Sequence, residues 1–549
     1  MIAPPAPSEA GPWPAAPGQP LRALRTGGGA FAVADPCATL RPVTDDRPSP
    51  RPRDAAAHAG DAPVAQALTA RELEALTGGR LIRASDRPIR GAAVDSRLVE
   101  PGGLFVALAG ERTDGHRFLA EAARAGAAAL LVSADPPAGE LAALGELTIL
   151  RVPDTLRGLH AIAAGWRARF DPLVVGVTGS IAKTSVKEAV ATVLAADRPT
   201  LRSEGNQNNE IGLPLTILRL GPQDEAAVLE MGMYVGGEIR DLARIARPRI
   251  GVVTAVLGVH LSRIGTIDAV EDAKAELVEA LPPDGVAVLN ADDPRVLRMA
   301  SRTPARVLTY GFADDAAVGA EAIASAGLEG MRFMLRLPAA APGGPARRVA
   351  ASIPALGRLS VHNALAAAAV GSAAGMTPAA IVAALTGGWS APHRGQVVRA
   401  GGVTIVDDAY NASPASVRAA LELLAGLPGR RVAVLGEMLE LGDAADAGHR
   451  EVGRAAASVC DLLCVVGGGA EGIAAGAREA GLPDGRLIEA ADRDAAVANL
   501  PATLRPGDVV LVKASRGIAL DVLVNGLVTA LGTPLGEPPG EPGSAVGPE

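Results

Sequence analysis

The sequence predicts an α/β protein built on parallel sheets, and three observations carry that expectation. Short apolar runs alternate with Ala/Leu/Arg-rich helical stretches along most of the chain, the pattern of strands joined by crossover helices. The length of 549 residues allows about three domains at ~100–200 residues each. The run Val174-Val175-Gly176-Val177 enters a Gly/Ser/Thr turn that continues into Lys183-Thr184 and a helix-forming stretch. That is the order of a strand, a phosphate-cradling loop and a helix N-terminus.

Taken in order, residues 1–64 are rich in Pro, Ala, Gly and Arg without sustained periodicity and read as a disordered leader. A first folded part, 65–172, contains Gly103-Leu104-Phe105-Val106-Ala107-Leu108 and ends near Arg169-Phe170-Asp171-Pro172. A second, 173–391, opens with the phosphate-loop strand and holds most of the polar clusters. A third, 392–532, offers strands at 403–408, 431–435, 462–466 and 509–512. The Gly/Pro-rich stretch 533–549 reads as a disordered tail.

Composition narrows the function. Hydrophobic content of 48% fills cores, while 2% aromatics leaves the packing to Leu, Val, Ile and Ala. The net charge of -8 gives no basic footprint for nucleic acid. No apolar run reaches the ~18 residues of a membrane span, and the first residues lack a signal-peptide core. Of the three cysteines, Cys460 and Cys464 read as buried structural thiols, and Cys37 completes no disulfide framework. A reduced, cytoplasmic setting is expected.

Only four lysines occur among 52 basic residues: Lys183, Lys187, Lys274 and Lys513. A lysine kept in so arginine-rich a chain marks a place where a planar fork will not serve. Around Lys183, Gly176, Gly179 and Ser180 permit close approach of backbone N–H groups to phosphates, and Thr184 offers a hydroxyl for Mg²⁺. The strict Walker pattern fails, with Val177 at its first glycine and Ala182 at its second. Glu230 ends an apolar strand, where such sheets open onto their ligands. His260 follows the next strand and reads either as structural or as a metal ligand. Asn206, Asn208 and Asn209 crowd one segment, either as a polar turn or as amides that hold peptide or phosphate groups.

Together these segments resemble the Mur ligases, and within them the members that add D-alanyl-D-alanine to a UDP-muramoyl-tripeptide. The resemblance runs from about 67 to about 530. It rests on Asp95-Ser96-Arg97; the 178–188 loop; Gly205-Asn206-Gln207-Asn208-Asn209-Glu210-Ile211-Gly212; Glu230-Met231-Gly232; Ala273-Lys274-Ala275-Glu276; and Leu289-Asn290-Ala291-Asp292-Asp293. In the third part it rests on the 407–416 stretch around Tyr410-Asn411, the 435–442 stretch, and Val512-Lys513-Ala514-Ser515-Arg516-Gly517.

The resemblance implies a three-domain architecture: an N-terminal UDP-sugar domain, a central P-loop-type ATPase domain and a Rossmann-like C-terminal domain. It implies ATP contacts at Thr178, Gly179, Ser180, Ile181, Ala182, Lys183, Thr184, Ser185, Asn290 and Asn363. Two Mg²⁺ ions are expected at Thr184, Glu230, His260 and Lys274, the last as a carbamate. Substrate contacts are expected at Asp95, Ser96, Arg97, Asn206, Asn208, Asn209, Asp408, Asn411, Lys513, Ser515 and Arg516. Lys183, Lys274, Glu230, His260 and Arg394 are the expected catalytic set, and Lys187 reads as a plain first-turn helix residue.

Three segments depart from the family pattern: Ala182; Thr254-Ala255-Val256-Leu257-Gly258; and Leu359-Ser360 within 357–363. For Ala182 the expectation favours a reshaped loop with negative φ over a strained left-handed one.

The implied activity is an ATP-dependent amide ligase that joins D-alanyl-D-alanine to UDP-N-acetylmuramoyl-tripeptide through an acyl phosphate, acting as a monomer. The alternatives are another Mur-type amino-acid ligase, and a non-catalytic nucleotide-binding protein. The Asp-Asn-Pro-Arg signature of the diaminopimelate-adding members is missing from the third part.

Overall fold

The computed structural model describes residues 67–110, 113–258, 264–339, 341 and 343–532. The expected leader and tail, Cys37 and His260 lie outside the described residues.

The first sheet has the order Arg80–Arg83, Thr148–Arg151, Ala129–Val132, Leu104–Val106, Ala92–Ala93. Only its Arg80–Arg83 strand runs antiparallel. The Thr155–Arg167 helix then leads into the central sheet. Its Ile162 and Trp166 share a core with Leu213, Ile217 and Leu242, so the first and second parts are packed together rather than strung on a linker.

The central sheet is wholly parallel, in the order Arg306–Tyr310, Val286–Asn290, Ile250–Val253, Leu173–Thr178, Ala226–Glu230, Thr200–Arg202. From Leu173–Thr178 the chain crosses to the edge strand Thr200–Arg202, returns to insert Ala226–Glu230 between them, and then builds outward on the other side of Leu173–Thr178. Strand order therefore reverses at that strand, which opens a crevice beyond its carboxyl end. Ala226–Glu230 is buried along its whole length, as its unbroken apolar run requires.

A three-stranded antiparallel sheet, Gly319–Ser325, Met331–Leu337 and Arg347–Ile353, was not anticipated among the parallel units. Its middle strand alternates buried Met331, Phe333, Leu335 and Leu337 with more exposed residues. Those four pack on the core beneath the Lys183–Ala195 and Gly357–Ala373 helices. The period of two was legible at 331–337.

The third sheet pairs Gln396–Ala400 antiparallel to Val403–Asp407 and continues in parallel through Asp508–Lys513, Arg430–Gly436, Leu462–Val466 and Leu487–Ala490. Cys460 and Cys464 are buried in its cores, and burial pushes both thiols up to about 12, as inert structural cysteines require. Among the described residues no helix is long and apolar enough to cross a membrane.

Candidate functional site

Leu173–Thr178 delivers the chain to a loop that closes on the Lys183–Ala195 helix. Gly179, at φ 150°, lies so close to Thr254 that a Cβ would sit 1.8 Å from its hydroxyl. The departing segment at 254–258 is what buttresses the loop. Thr254 Oγ1 donates to the Ile181 carbonyl at 2.6 Å, and the Ser180 N–H donates to Ala255 O at 2.8 Å. Ser180 Oγ donates to Leu257 O at 3.1 Å and accepts from the Leu257 N–H at 2.9 Å. The polar groups of Ser180 are thus spent on holding the loop.

Ala182 is the N-cap of the helix at φ 62°, ψ 1°, squarely left-handed. The expectation of a negative φ is therefore corrected. With Ser180 and Ile181 both pinned to the 254–257 segment, the chain has one residue in which to turn into the helix. The cap makes no side-chain hydrogen bond, so first-turn N–H groups face the crevice without a side-chain acceptor.

Lys183 Nζ donates to Gly179 O at 2.8 Å. Burial lowers its pKa and Arg394 lowers it further, against the opposing pull of Glu230. Lys274, in the Ile267–Glu279 helix, is 3% exposed and has no hydrogen bond or ion pair among the described residues. Burial first, then the charge of Lys183, holds its pKa well below the usual lysine range. Lys274, Glu230 and Arg394 thus each lie within electrostatic reach of Lys183.

Five buried side-chain polar atoms lack a hydrogen-bond partner among the described residues: Thr178 Oγ1, Glu230 Oε2, Asn363 Oδ1, Arg394 Nε and Asp521 Oδ1. Four of the five belong to residues singled out from the sequence. A buried polar atom left unpaired costs about 1–3 kcal/mol, so each marks a place where a ligand can complete the bonding. No group of three or more His, Cys, Asp or Glu side chains able to hold a metal forms among the described residues.

Beyond the carboxyl end of Val286–Asn290, the Asn290 amide donates to Thr254 O at 2.7 Å and its oxygen accepts from the Asp292 N–H at 2.9 Å. His362, not anticipated as a site residue, lies 3.1 Å from Asn290 Oδ1 and 3.2 Å from Asp292 Oδ2. It rests between the rings of Tyr310 and Phe312. Burial would raise the Asp292 pKa, but His362 and two backbone N–H groups outweigh it and lower it. Its rarity was the available signal, since only seven histidines occur.

In the third part, Lys513 Nζ pairs with Asp408 Oδ2 at 2.6 Å and donates to Asn411 O at 2.8 Å, which joins three of the expected substrate residues. Ser515 is buried, its hydroxyl accepting from the Leu439 N–H at 2.9 Å. Arg516 is paired with Asp521 at 3.2 Å. The Arg394 guanidinium sits 4.1 Å from the centre of the Tyr410 ring. The neighbouring His393, at φ 58°, is held by Asp407 at 2.7 Å, and its carbonyl accepts from the Tyr410 N–H.

The three crowded asparagines divide. Asn208 donates to Glu230 Oε1 at 2.8 Å, Asn209 accepts from the N–H groups of Ile211 and Gly212 where the Gly212–Ile217 helix begins, and Asn206 is exposed. Asp95 caps its own turn and pairs with Arg97 at 2.6 Å, which holds its pKa down at about 2, while Ser96 is buried. The first part also reaches the asparagine loop, where His160 Nε2 lies 2.6 Å from Glu210 O. A cavity of about 800 Å³ lined by Arg167, Arg240 and Arg247 lies at the amino end of the central sheet, opposite the end that carries the Gly179–Ala182 loop.

The chain matches the Mur ligase family catalytic domain over residues 88–167, the Mur ligase middle domain over 177–371 and the Mur ligase glutamate ligase domain over 393–516. It is 38% identical over 506 residues to the UDP-N-acetylmuramoyl-tripeptide–D-alanyl-D-alanine ligase of Mycobacterium tuberculosis, covering 84% of this chain and 97% of that one. The Escherichia coli enzyme of the same name is 35% identical over 468 residues, covering 84% and 98%. Crystal structures of MurF from Acinetobacter baumannii (TM-score 0.74, 29% identity, 84% of this chain and 99% of that one) and of the Thermotoga maritima MurF ligase with ADP (0.70, 28%, 80% and 98%) share the fold.

Proposed function

This chain belongs to the Mur ligase family, in its MurF group, and from that premise we infer how its own residues carry out the ligation. The reaction joins D-alanyl-D-alanine to UDP-N-acetylmuramoyl-tripeptide at the expense of ATP, in peptidoglycan precursor synthesis. The tripeptide's terminal carboxylate takes the γ-phosphoryl group and ADP departs. The dipeptide's amine then attacks the acyl carbon and phosphate leaves.

The observation that carries the site assignment is the set of unpartnered buried atoms on Thr178, Glu230, Asn363 and Arg394. First-turn N–H groups of the Lys183–Ala195 helix receive phosphate oxygens, and Lys183 turns from Gly179 O to neutralise their charge. Arg394 meets the same charge from the side of the third part. Asn290 and Asn363 face the nucleoside. Lys513, Asp408 and Asn411 form the acceptor side, where closure of the third domain keeps water from the acyl phosphate.

Magnesium, when bound, draws charge from the phosphate oxygens during transfer. The residues present fit it: Glu230 is buried with one oxygen unpartnered, and Thr184 stands at the head of the helix. Lys274 fits a carbamate ligand for a second ion, because its surroundings favour the neutral amine that adds carbon dioxide. His260 completes the expected set. The protein is proposed to act as a monomer in the cytoplasm, where the UDP-linked substrate and ATP are at hand.

The test is purified protein with ATP, UDP-N-acetylmuramoyl-tripeptide and D-alanyl-D-alanine. Phosphate release that requires both acceptors, with a product mass equal to tripeptide plus dipeptide less water, is expected. Release of phosphate without either acceptor, or full activity in a folded Lys183→Ala variant, overturns the assignment.

A further inference from the structure

The fourth lysine has no place in this scheme, yet it is not a plain helix residue. Lys187 is 0% exposed, one turn beyond Lys183 on the same helix face. Its ammonium donates to Ser203 O at 2.6 Å and pairs with Glu188 Oε1 at 2.7 Å. Glu188 is in turn held by Arg202 Nε at 3.1 Å.

Ser203 is itself fully buried, and its bonds run in three directions. Its carbonyl accepts from Lys187, its N–H donates to Val228 O at 3.0 Å, and its hydroxyl accepts from the Glu230 N–H at 3.2 Å. The ladder between Thr200–Arg202 and Ala226–Glu230 is thereby extended past its last strand residue, to the point where Glu230 must present its carboxylate. Among the described side chains Lys187 alone donates to Ser203 O, whereas Glu188 is held by Arg202 as well.

We propose that Lys187 is a positioning residue for the metal-binding carboxylate, acting on Glu230 through Ser203. A lysine suits this place because a compact ammonium on a flexible stem can enter a closed interior that a planar guanidinium would not fit. Residues that orient a ligand from behind typically change metal affinity 10–100-fold when removed. The inference rests on the reading of Glu230 as a metal ligand and deepens it.

The experiment uses the full chain saturated with ADP and titrated with Mn²⁺, following the free-ion electron paramagnetic resonance signal, alongside thermal melting. Lys187→Met is expected to weaken Mn²⁺ binding about tenfold or more. Activity should return towards the parent value at high Mg²⁺. Ser203→Ala, which removes only the acceptor for the Glu230 N–H, is expected to shift Mn²⁺ binding in the same direction and stands in if Lys187→Met does not fold. Arg202→Ala, which loosens Glu188 but leaves the Lys187–Ser203 bond, is expected to leave Mn²⁺ binding unchanged.

Unchanged Mn²⁺ affinity in a folded Lys187→Met or Ser203→Ala protein, whatever its melting temperature, overturns the proposal. An equal loss in Arg202→Ala also overturns it, since general loosening would then explain the effect. A Glu230→Ala control that still binds Mn²⁺ normally removes the metal reading itself, and is thereby distinguished from failure of the Lys187 inference alone.

Discussion

The Asn208 amide holds Glu230 by one carboxylate oxygen, at 2.8 Å, and leaves the other oxygen buried with no hydrogen-bond partner among the described residues. A neutral donor orients a carboxylate without cancelling its charge. The backbone of the same asparagine accepts from the Gly232 N–H at 2.7 Å, so its loop is latched to the strand end twice. Asn208→Leu keeps the bulk and removes the donor. It is expected to raise the Mg²⁺ concentration for half-maximal activity about 10–100-fold, with the Michaelis constant for the peptide nearly unchanged. An unaltered Mg²⁺ requirement would show that Asn208 does not orient Glu230.

Lys274 yields a pH dependence with a definite sign. Its folded pKa lies well below the unfolded value because the site is buried and Lys183 is near. Between the two values the unfolded chain binds a proton that the folded chain does not, so this group makes stability rise with pH. Lys274→Met should therefore exceed the parent in denaturation midpoint at neutral pH, in buffer free of carbon dioxide. That advantage should shrink as pH climbs towards 10. A gap that stays constant with pH would show that the amine is not the source. In turnover, Lys274→Ala and Lys274→Arg should both be nearly inactive, with acetate partly rescuing only the former.

Ala182 adopts a conformation that alanine disfavours by about 1–2 kcal/mol relative to the right-handed region. Glycine removes that cost but gives the unfolded chain more freedom, worth about 0.4–1 kcal/mol. Ala182→Gly is therefore expected to stabilise the protein by up to about 1.6 kcal/mol, read as a higher urea midpoint. A lower midpoint would mean that the contacts of the alanine methyl with the neighbouring core outweigh its strain.

Arg394 is placed by stacking on Tyr410 rather than by a carboxylate, and its Nε has no hydrogen-bond partner among the described residues. Tyr410→Leu removes a cation–π contact worth roughly 0.5–2 kcal/mol. If Arg394 acts on charge that develops during phosphoryl transfer, kcat should fall about 2- to 30-fold, with the Michaelis constant for ATP held within about twofold. A rise in that constant with unchanged kcat would instead assign Arg394 to ground-state binding.

The sequence by itself determined the elements whose information is local. The apolar run, the Gly/Ser turn and Lys183 are contiguous, so strand, loop and helix were readable together, as was Glu230 at the end of its run. The scarcity of lysine pointed to Lys274, whose isolation in the interior the structure then displayed. Tertiary structure alone decided whatever depends on partners far away in the chain. Ala182 turns left-handed because residues more than seventy positions later grip Ser180 and Ile181. Asn209 was spent on the Ile211 and Gly212 N–H groups while its neighbour Asn208 reached Glu230, since identical amides differ only in what the fold sets beside them. Lys187 is buried because Ser203 and Glu188 meet it there. Residue type and spacing specify what a side chain can bond; the packing of distant strands specifies what it does bond.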